Sequence, residues 1–318
     1  MPKVSVIIPT YNCAHYLGQA IESAMSQTFR DFEIIVLDDG STDNTSEVIR
    51  QYGDNIKYIR QANRGLPAAR NRAIESSSGE FVALLDADDW WDPAKLAEQV
   101  PLLEEDLEAG LAYTDLRVVY DDGTVIPSFL LSRPLAGSGY VFDRLLLSGF
   151  ILPSTVLMRR TCFEQAGRFD ESMRSHEDVD LWLRICQKSK VVLVPKPLTH
   201  RRQGAANMTA NDDLRTRYGV IFFEKALKLP DLTEAQRDTI VRRLADAYFL
   251  RGSFLFANGK MEECRQALRL NLQSKAFNFR TWAYYAGSFL PPALIDYLRN
   301  GKRSARSLVT RRQNGDAA

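Results

Sequence analysis

The sequence predicts an α/β fold, a mixed and mostly parallel sheet flanked by helices, with a helical appendage after it. Three observations point there. Through the first hundred or so residues, short β-rich runs alternate with longer amphipathic ones, the pattern of strand-helix units winding a parallel sheet. Asp122 and Gly123 sit between two further β-rich runs, and a turn tolerant of positive φ there makes a hairpin and hence a mixed sheet. Beyond about residue 210 the β signal gives way to helical periodicity with long polar faces.

Runs 4–8, 33–37, 56–59 and 81–85 read as strands. Between them Leu17, Ala20, Ile21 and Ala24 recur at helical spacing, and a second helix over 67–74 opens on Pro67, tolerated in a first turn. Asp92 followed by Pro93 starts a helix running to about 107. Tyr113, 116–120 and 124–126 read as strands, and 154–158 and 191–194 add two more around a helix carrying Leu181, Trp182 and Ile185. The segment 199–209 is polar and basic and reads as a loop. Residues 244–272 resemble one tetratricopeptide-type hairpin, with Gly252 at a small packing position, Gly259 and Lys260 at the turn, and Cys264 where a small residue is usual. One copy cannot bury its own face, so a hairpin docked on the α/β domain is expected, not a repeat array. The plan is thus a domain over 1–210, a helical appendage over 211–300 and a basic tail over 301–318.

A chain of 318 residues, 45% hydrophobic, has room for one large core and a smaller one. Lys plus Arg number 41 against 40 Asp plus Glu, so no global field recruits nucleic acid. The four cysteines are far apart, which suggests neither a zinc site nor a disulfide framework, but reduced thiols in cytoplasm. The first apolar run is broken by Pro9, Asn12 and His15, too early for a signal peptide, and no run approaches the roughly 18 apolar residues of a membrane span. A cytoplasmic protein, soluble or peripheral on the inner face of the membrane, is expected.

In a parallel sheet, ligands collect outside the carboxyl ends of the strands. The first strand runs into Pro9-Thr10-Tyr11-Asn12, the second into Asp38-Asp39-Gly40-Ser41-Thr42-Asp43, and the fourth into Asp86-Ala87-Asp88-Asp89. Carboxylates crowded on one rim repel unless a cation offsets them, and hard divalent ions favour carboxylate oxygens with phosphate completing the shell. Asp86, Asp88 and Asp89 are therefore a candidate Mg²⁺ or Mn²⁺ diphosphate site. The plain alternative is that such aspartates cap helices and shape turns; this suits Asp43 and Asp92, whereas a helix needs one cap and not three adjacent acids. Asp39 can accept from a uracil imide N–H, and Tyr11 can offer a face to a base or ribose. Arg64 and Arg70 stand near a helix start, where diphosphate oxygens would be welcome, with Arg70 the stronger candidate.

These residues carry a resemblance. VSVIIPTYN, DDGSTD, NRGLPAARN, LLDADDWW, GRFDES and HEDVDLWLR are similar, in order and spacing, to the blocks of family-two glycosyltransferases, inverting enzymes of GT-A (Rossmann-like) fold, of which the single-addition, non-processive type fits. The resemblance covers residues 1 to about 205 and implies a nucleotide-sugar half over about 1–110 and an acceptor half over about 111–210. It implies that Pro9, Tyr11, Asp39 and Asp86 hold the nucleotide, Asp88 the metal, and Asp178 the role of general base, with Glu177 shaping the acceptor site. His176 could donate to the acceptor there, although a lone His is more often structural. A sugar hydroxyl is a poor nucleophile, so displacement with inversion needs a carboxylate opposite the leaving diphosphate. Asp178 could also cap the helix that Glu177 and Asp178 begin, and the two roles are compatible if it projects from the helix start into the cleft. The implied reaction is transfer from a UDP- or dTDP-sugar to a glycan or lipid-linked glycan.

The chain departs from the processive members, since Gln203 opens no QxxRW motif. His200, Arg201 and Arg202 loosely resemble a basic segment closing over diphosphate, which assigns Arg201 to the nucleotide. A sugar nucleotidyltransferase would need a glycine-rich loop after the first strand, and this loop is PTYN. The rival from another class is an inactive sugar-nucleotide-binding or scaffolding relative; intact Asp88 and Asp178 argue against it. In the tail, Trp282, Tyr284, Tyr285, Phe289 and Leu290 precede a short apolar stripe (Leu294, Ile295, Leu298) and then Arg299, Lys302, Arg303, Arg306, Arg311 and Arg312. Two readings stand: an interfacial segment on anionic lipid, or aromatics packed on the α/β domain with a solvated, frayed basic end.

Overall fold

The computed structural model describes residues 1–130, 133–204, 211–273 and 279–291. The chain divides into two compact units, the first comprising Met1–Tyr218 with Leu229–Asp231.

In chain order the first unit carries β1 (Val4–Thr10), α1 (Ala14–Met25), β2 (Phe32–Asp38), α2 (Thr45–Arg50), β3 (Lys57–Arg60), α3 (Leu66–Glu75), β4 (Phe81–Leu84), β5 (Trp90–Trp91), α4 (Lys95–Glu105) and β6 (Ala109–Tyr120). There follow β7 (Val125–Ile126), α5 (Phe142–Leu147), β8 (Val156–Arg159), α6 (Arg160–Ala166), α7 (Glu177–Cys186) and β9 (Lys190–Gln203). The strands form one sheet in the order β3-β2-β1-β4-β8-β6-β9-β5, with β7 on β6. β3, β2, β1 and β4 are parallel, β8 is antiparallel to both its neighbours, and β6 and β9 run parallel. Every residue of β1 is buried, as a central strand covered on both faces must be.

Strand order reverses at β1, with β2 and β3 on one side and β4 on the other, which opens a crevice at the carboxyl ends. Thr10 lies opposite Asp38, and Ile7 opposite Leu84. The loops after β1, β2 and β4 therefore leave the sheet on one rim. Gly40, at φ 83°, lets the loop after β2 approach the loop after β3, since a Cβ there would stand 2.9 Å from the Asn63 backbone nitrogen.

Two expectations need correction. The separate strands expected around Tyr113 and 116–120 are one strand, β6. The loop expected from Thr199 is strand as far as Gln203: Thr199 and His200 pair with Trp91 and Trp90 on one side and with Leu116 and Arg117 on the other. That double ladder satisfies backbone groups which a polar sequence does not reveal. Of the rest of that segment, 205–210 lies outside the described residues.

The chain passes through α8 (Asp212–Ala226) into the second unit, which holds α9 (Glu234–Ala257), α10 (Met261–Gln273) and α11 (Phe279–Gly287). Thr233 caps α9 reciprocally with Gln236. α9 and α10 turn at Gly259, at φ 77°, and pack over Leu255, Cys264, Ala267 and Leu268. At Gly252 a Cβ would lie 2.5 Å from Leu268 Cδ2. On α11, Tyr284 meets Phe249 and Phe256 edge-on. Among the described residues no helix is long and apolar enough to cross a membrane, and all four cysteines are free. The basic run 299–312 lies outside the described residues.

Candidate active site

A cavity of about 450 Å³ opens over the carboxyl ends of β1 and β4, lined by Pro9, Tyr11, Asp39, Asp86, Asp88 and Arg201 among others. Tyr11 is 49% exposed. Its neighbour Asn12, at φ 49°, ties the first two loops together: its Oδ1 accepts from the Thr42 amide at 2.8 Å, and its own amide donates to Ser41 Oγ at 2.9 Å. Asp43 has the structural role expected of it, accepting from the Ala14 amide at the start of α1 and from Thr45.

Asp39 is buried and already accepts three hydrogen bonds, from Gln61 Nε2 (2.7 Å), the Arg64 amide (3.0 Å) and the Gly65 amide (2.8 Å). A carboxylate has about four acceptor positions, so roughly one is left for a ligand. The three bonds hold the entry to α3 against the cavity.

The acidic loop splits into two roles. Asp89 also lines the cavity, but both of its carboxylate oxygens are engaged, by Ser154 Oγ at 2.6 Å and the Arg202 amide at 3.1 Å, so its geometry serves to tie the loop down more than to hold a metal. Burial and the charges of Asp88 and Asp86 push its carboxyl well above the usual range. Asp86 and Asp88 face the cavity, and burial, with Asp86 adding repulsion, raises Asp88 as well. A cation would relieve that repulsion. Among the described residues no group of three or more ligand-type side chains converges on one point. Asp88, facing the cavity, is the residue whose carboxylate would hold a divalent ion here. The loop is braced from β9: Arg202 lies over Tyr16 (4.1 Å) and Trp90 (5.0 Å), and Trp90 stacks on His200 at 4.9 Å.

Arg70 corrects the sequence reading. Its guanidinium is 1% exposed and donates to Asp86 Oδ1 at 2.7 Å and Glu177 Oε1 at 3.0 Å, lying 5.4 Å from the Phe169 ring centre. It serves as an internal cation that positions two carboxylates and is not a surface for diphosphate. Asn71 is likewise structural, exchanging hydrogen bonds with the Phe169 backbone in both directions, and exposed Arg64 pairs with Glu171. The GRFDES block therefore supports α3.

A second cavity of about 370 Å³ shares Leu66, Asp86, Asp89 and Arg201 with the first, and contains His176, Glu177 and Asp178. Helix α7 begins at Glu177, and His176, in the left-handed conformation at φ 64°, occupies the cap position without a side-chain cap bond. Asp178 is therefore not the N-cap residue, yet its Oδ1 accepts from the Val179 amide at 2.8 Å, one of the first-turn donors that α7 leaves without an intrahelical partner. Burial raises the Asp178 carboxyl above its ordinary value, and Arg70 pulls it part of the way back. Glu177 is pushed up to about 7 by burial and the neighbouring Asp178. Burial lowers His176, which meets Ser175 Oγ through Nδ1 at 3.1 Å. Arg133, Arg174 and Arg215 also line this cavity; they belong to no motif block, and only the folded topology brings them together.

The family description "Glycosyl transferase family 2" matches residues 5–166. A Rickettsia felis protein named as an uncharacterized glycosyltransferase is 34% identical over 221 residues, which cover 69% of this chain and 36% of that protein; the chain thus spans about a third of that relative's length. Among solved structures, S. aureus TarS 1–349 in complex with UDP-GlcNAc superposes with a TM-score of 0.66 at 21% identity, covering 96% of this chain and 92% of the other. Pyrobaculum calidifontis mannosyltransferase PcManGT, in complex with GDP-Man and Mn²⁺, gives 0.62 at 19%, covering 90% and 79%. The mixed sheet with its flanking and C-terminal helices is the GT-A architecture of these structures.

Proposed function

Because the chain belongs to glycosyl transferase family 2, we propose that it transfers a sugar from a UDP- or dTDP-linked donor to a hydroxyl of a glycan or lipid-linked glycan, with inversion and without processivity. One observation carries this reading: the Asp86–Asp89 loop and Arg201 are a common wall between a cavity suited to a nucleotide and a cavity that contains Asp178. A donor lying across that wall would present its anomeric carbon to the side where a carboxylate waits.

In this reading Tyr11 and Pro9 flank the base, the remaining acceptor position of Asp39 takes an imide N–H, and Asp86 holds the ribose. Arg201 meets the diphosphate, supplying charge where the leaving group develops it. Asp88, with donor oxygens, would hold Mg²⁺ or Mn²⁺, which supplies Lewis-acid stabilisation of the leaving diphosphate. Asp178 accepts the proton of the attacking hydroxyl; a carboxyl raised by burial is a stronger base than an ordinary one, provided it is ionised. His176 and Glu177 bound the acceptor pocket. The neighbours' complexes with UDP-GlcNAc and with GDP-Man and Mn²⁺ support a nucleotide-sugar donor and a divalent ion.

The test is UDP or dTDP release across a panel of donor sugars, with Mn²⁺ and in excess chelator. Asp178→Asn should bind nucleotide normally and turn over roughly a hundredfold or more slowly, the range for a lost general base. Full turnover in chelator removes the metal from this account; a mutant that loses nucleotide affinity but keeps its saturated rate removes Asp178 as base.

A further inference from the structure

We propose that the acceptor is anionic, its phosphate or carboxylate held by Arg133, Arg174 and Arg215 at the second cavity while one of its hydroxyls reaches Asp178. This rests on the glycosyl-transfer reading and names the class of acceptor for the same site.

The three arginines come from separate segments, after β7, before α7 and on α8. In a chain whose formal charge is only +1, their convergence on one cavity is not a general basic excess. Deeper in, Asp86 and Glu177 are already paired with buried Arg70, so the rim cations are not needed to neutralise them. Arg133 lies over Phe129 at 4.0 Å, a stacking that fixes the guanidinium plane and leaves its N–H edge for a ligand. Arg215 donates to Asp212 on its own helix at 2.7 Å, and such an exposed pair contributes little, so an incoming oxyanion can displace it. Guanidinium forks match phosphate and carboxylate oxygens in pairs.

The experiment titrates glycerol 3-phosphate and methyl glucuronide, each beside its uncharged counterpart glycerol or methyl glucoside, into free protein and into protein saturated with UDP and Mn²⁺. Both anions should bind at least about tenfold more tightly than their counterparts, the scale of one charge-assisted hydrogen bond. Arg133→Gln, Arg174→Gln and Arg215→Gln should each erode that preference and together abolish it, with UDP affinity unchanged. Arg217→Gln, on the same helix but outside the cavity, should preserve it. Anions that bind no better than their counterparts, or equally well to the triple variant, overturn the proposal. Loss of UDP affinity in the triple variant assigns the arginines to the donor and overturns it too. Wild-type protein that shows the arginine-dependent preference yet binds neither UDP nor dTDP overturns the donor reading instead, and leaves the oxyanion site standing.

Discussion

Arg70 stands among three carboxylates, paired with Asp86 and Glu177 and close enough to Asp178 to be felt by it. Removing one partner of a buried ionic set leaves the others uncompensated, a loss of about 3–5 kcal/mol. The loss should depend on pH. Glu177, already pushed up to about 7 by burial and Asp178, keeps in the folded state a proton that the unfolded chain releases in the ordinary carboxylate range. Its contribution to stability is therefore present at low pH and is lost as pH rises toward 7. Without the guanidinium, that decline should be steeper and extend further. Arg70→Gln should thus cost its full amount at pH 8 and distinctly less at pH 5, where protons replace the missing cation. Urea unfolding at the two pH values decides this; equal losses at both would mean that Arg70 contributes packing and not charge. The acid limb of kcat, governed in this account by Asp178, should also move to higher pH in the variant, and Arg70→Lys should restore part of it.

Elements built on one strong period were legible: β1, β2 and β4 read as apolar runs, and the loops after them as polar ends. Elements held by pairing were not. Residues 199–203 look like a basic loop, yet pairing with β6 along their length, and with β5 at Thr199 and His200, makes them strand. At the site, the motif blocks pointed to Asp39, Asp86, Asp88 and Asp178, but composition cannot tell a carboxylate facing a cavity from one turned inward. Hence Asp89 and Arg70 read as ligand groups in the sequence, whereas in the structure they are engaged by Ser154 and the Arg202 amide and by Asp86 and Glu177. Gly252 was a small packing position by resemblance, and the structure supplies the reason in Leu268. Gly252→Val should gain some helix propensity but drive a branched side chain into buried Leu268, for a net loss of about 1–3 kcal/mol. The diagnostic is a double-mutant cycle: Gly252→Val with Leu268→Ala should lose less than the sum of the two single changes. Strict additivity would show that the two helices do not meet there.

At the scale of the whole molecule, charge is balanced, so any attraction to a surface has to be local. In the second unit the aromatics of α11 and of the residues just after it divide. Tyr284 and Tyr285 pack against the cluster formed by α9 and α10, while Phe279 is 78%, Trp282 45% and Phe289 62% exposed. The tyrosines thus pack on their own unit's helices, and Phe279, Trp282 and Phe289 are the rings exposed for an interface. Rings at headgroup depth beside cations are what an interfacial segment uses, each cation adding about 1 kcal/mol on an anionic leaflet. Arg265 already lies 4.9 Å from the Phe289 ring centre, so part of that pairing is present within the unit. The full chain should therefore sediment with vesicles containing anionic lipid, bind neutral vesicles far less, and be released by raised salt, whereas a chain ending at Gln273 should stay in the supernatant. A lipid-linked acceptor would then be met where the enzyme already rests. Equal, salt-insensitive partitioning of both chains, or none by either, would remove the membrane and favour an acceptor free in solution.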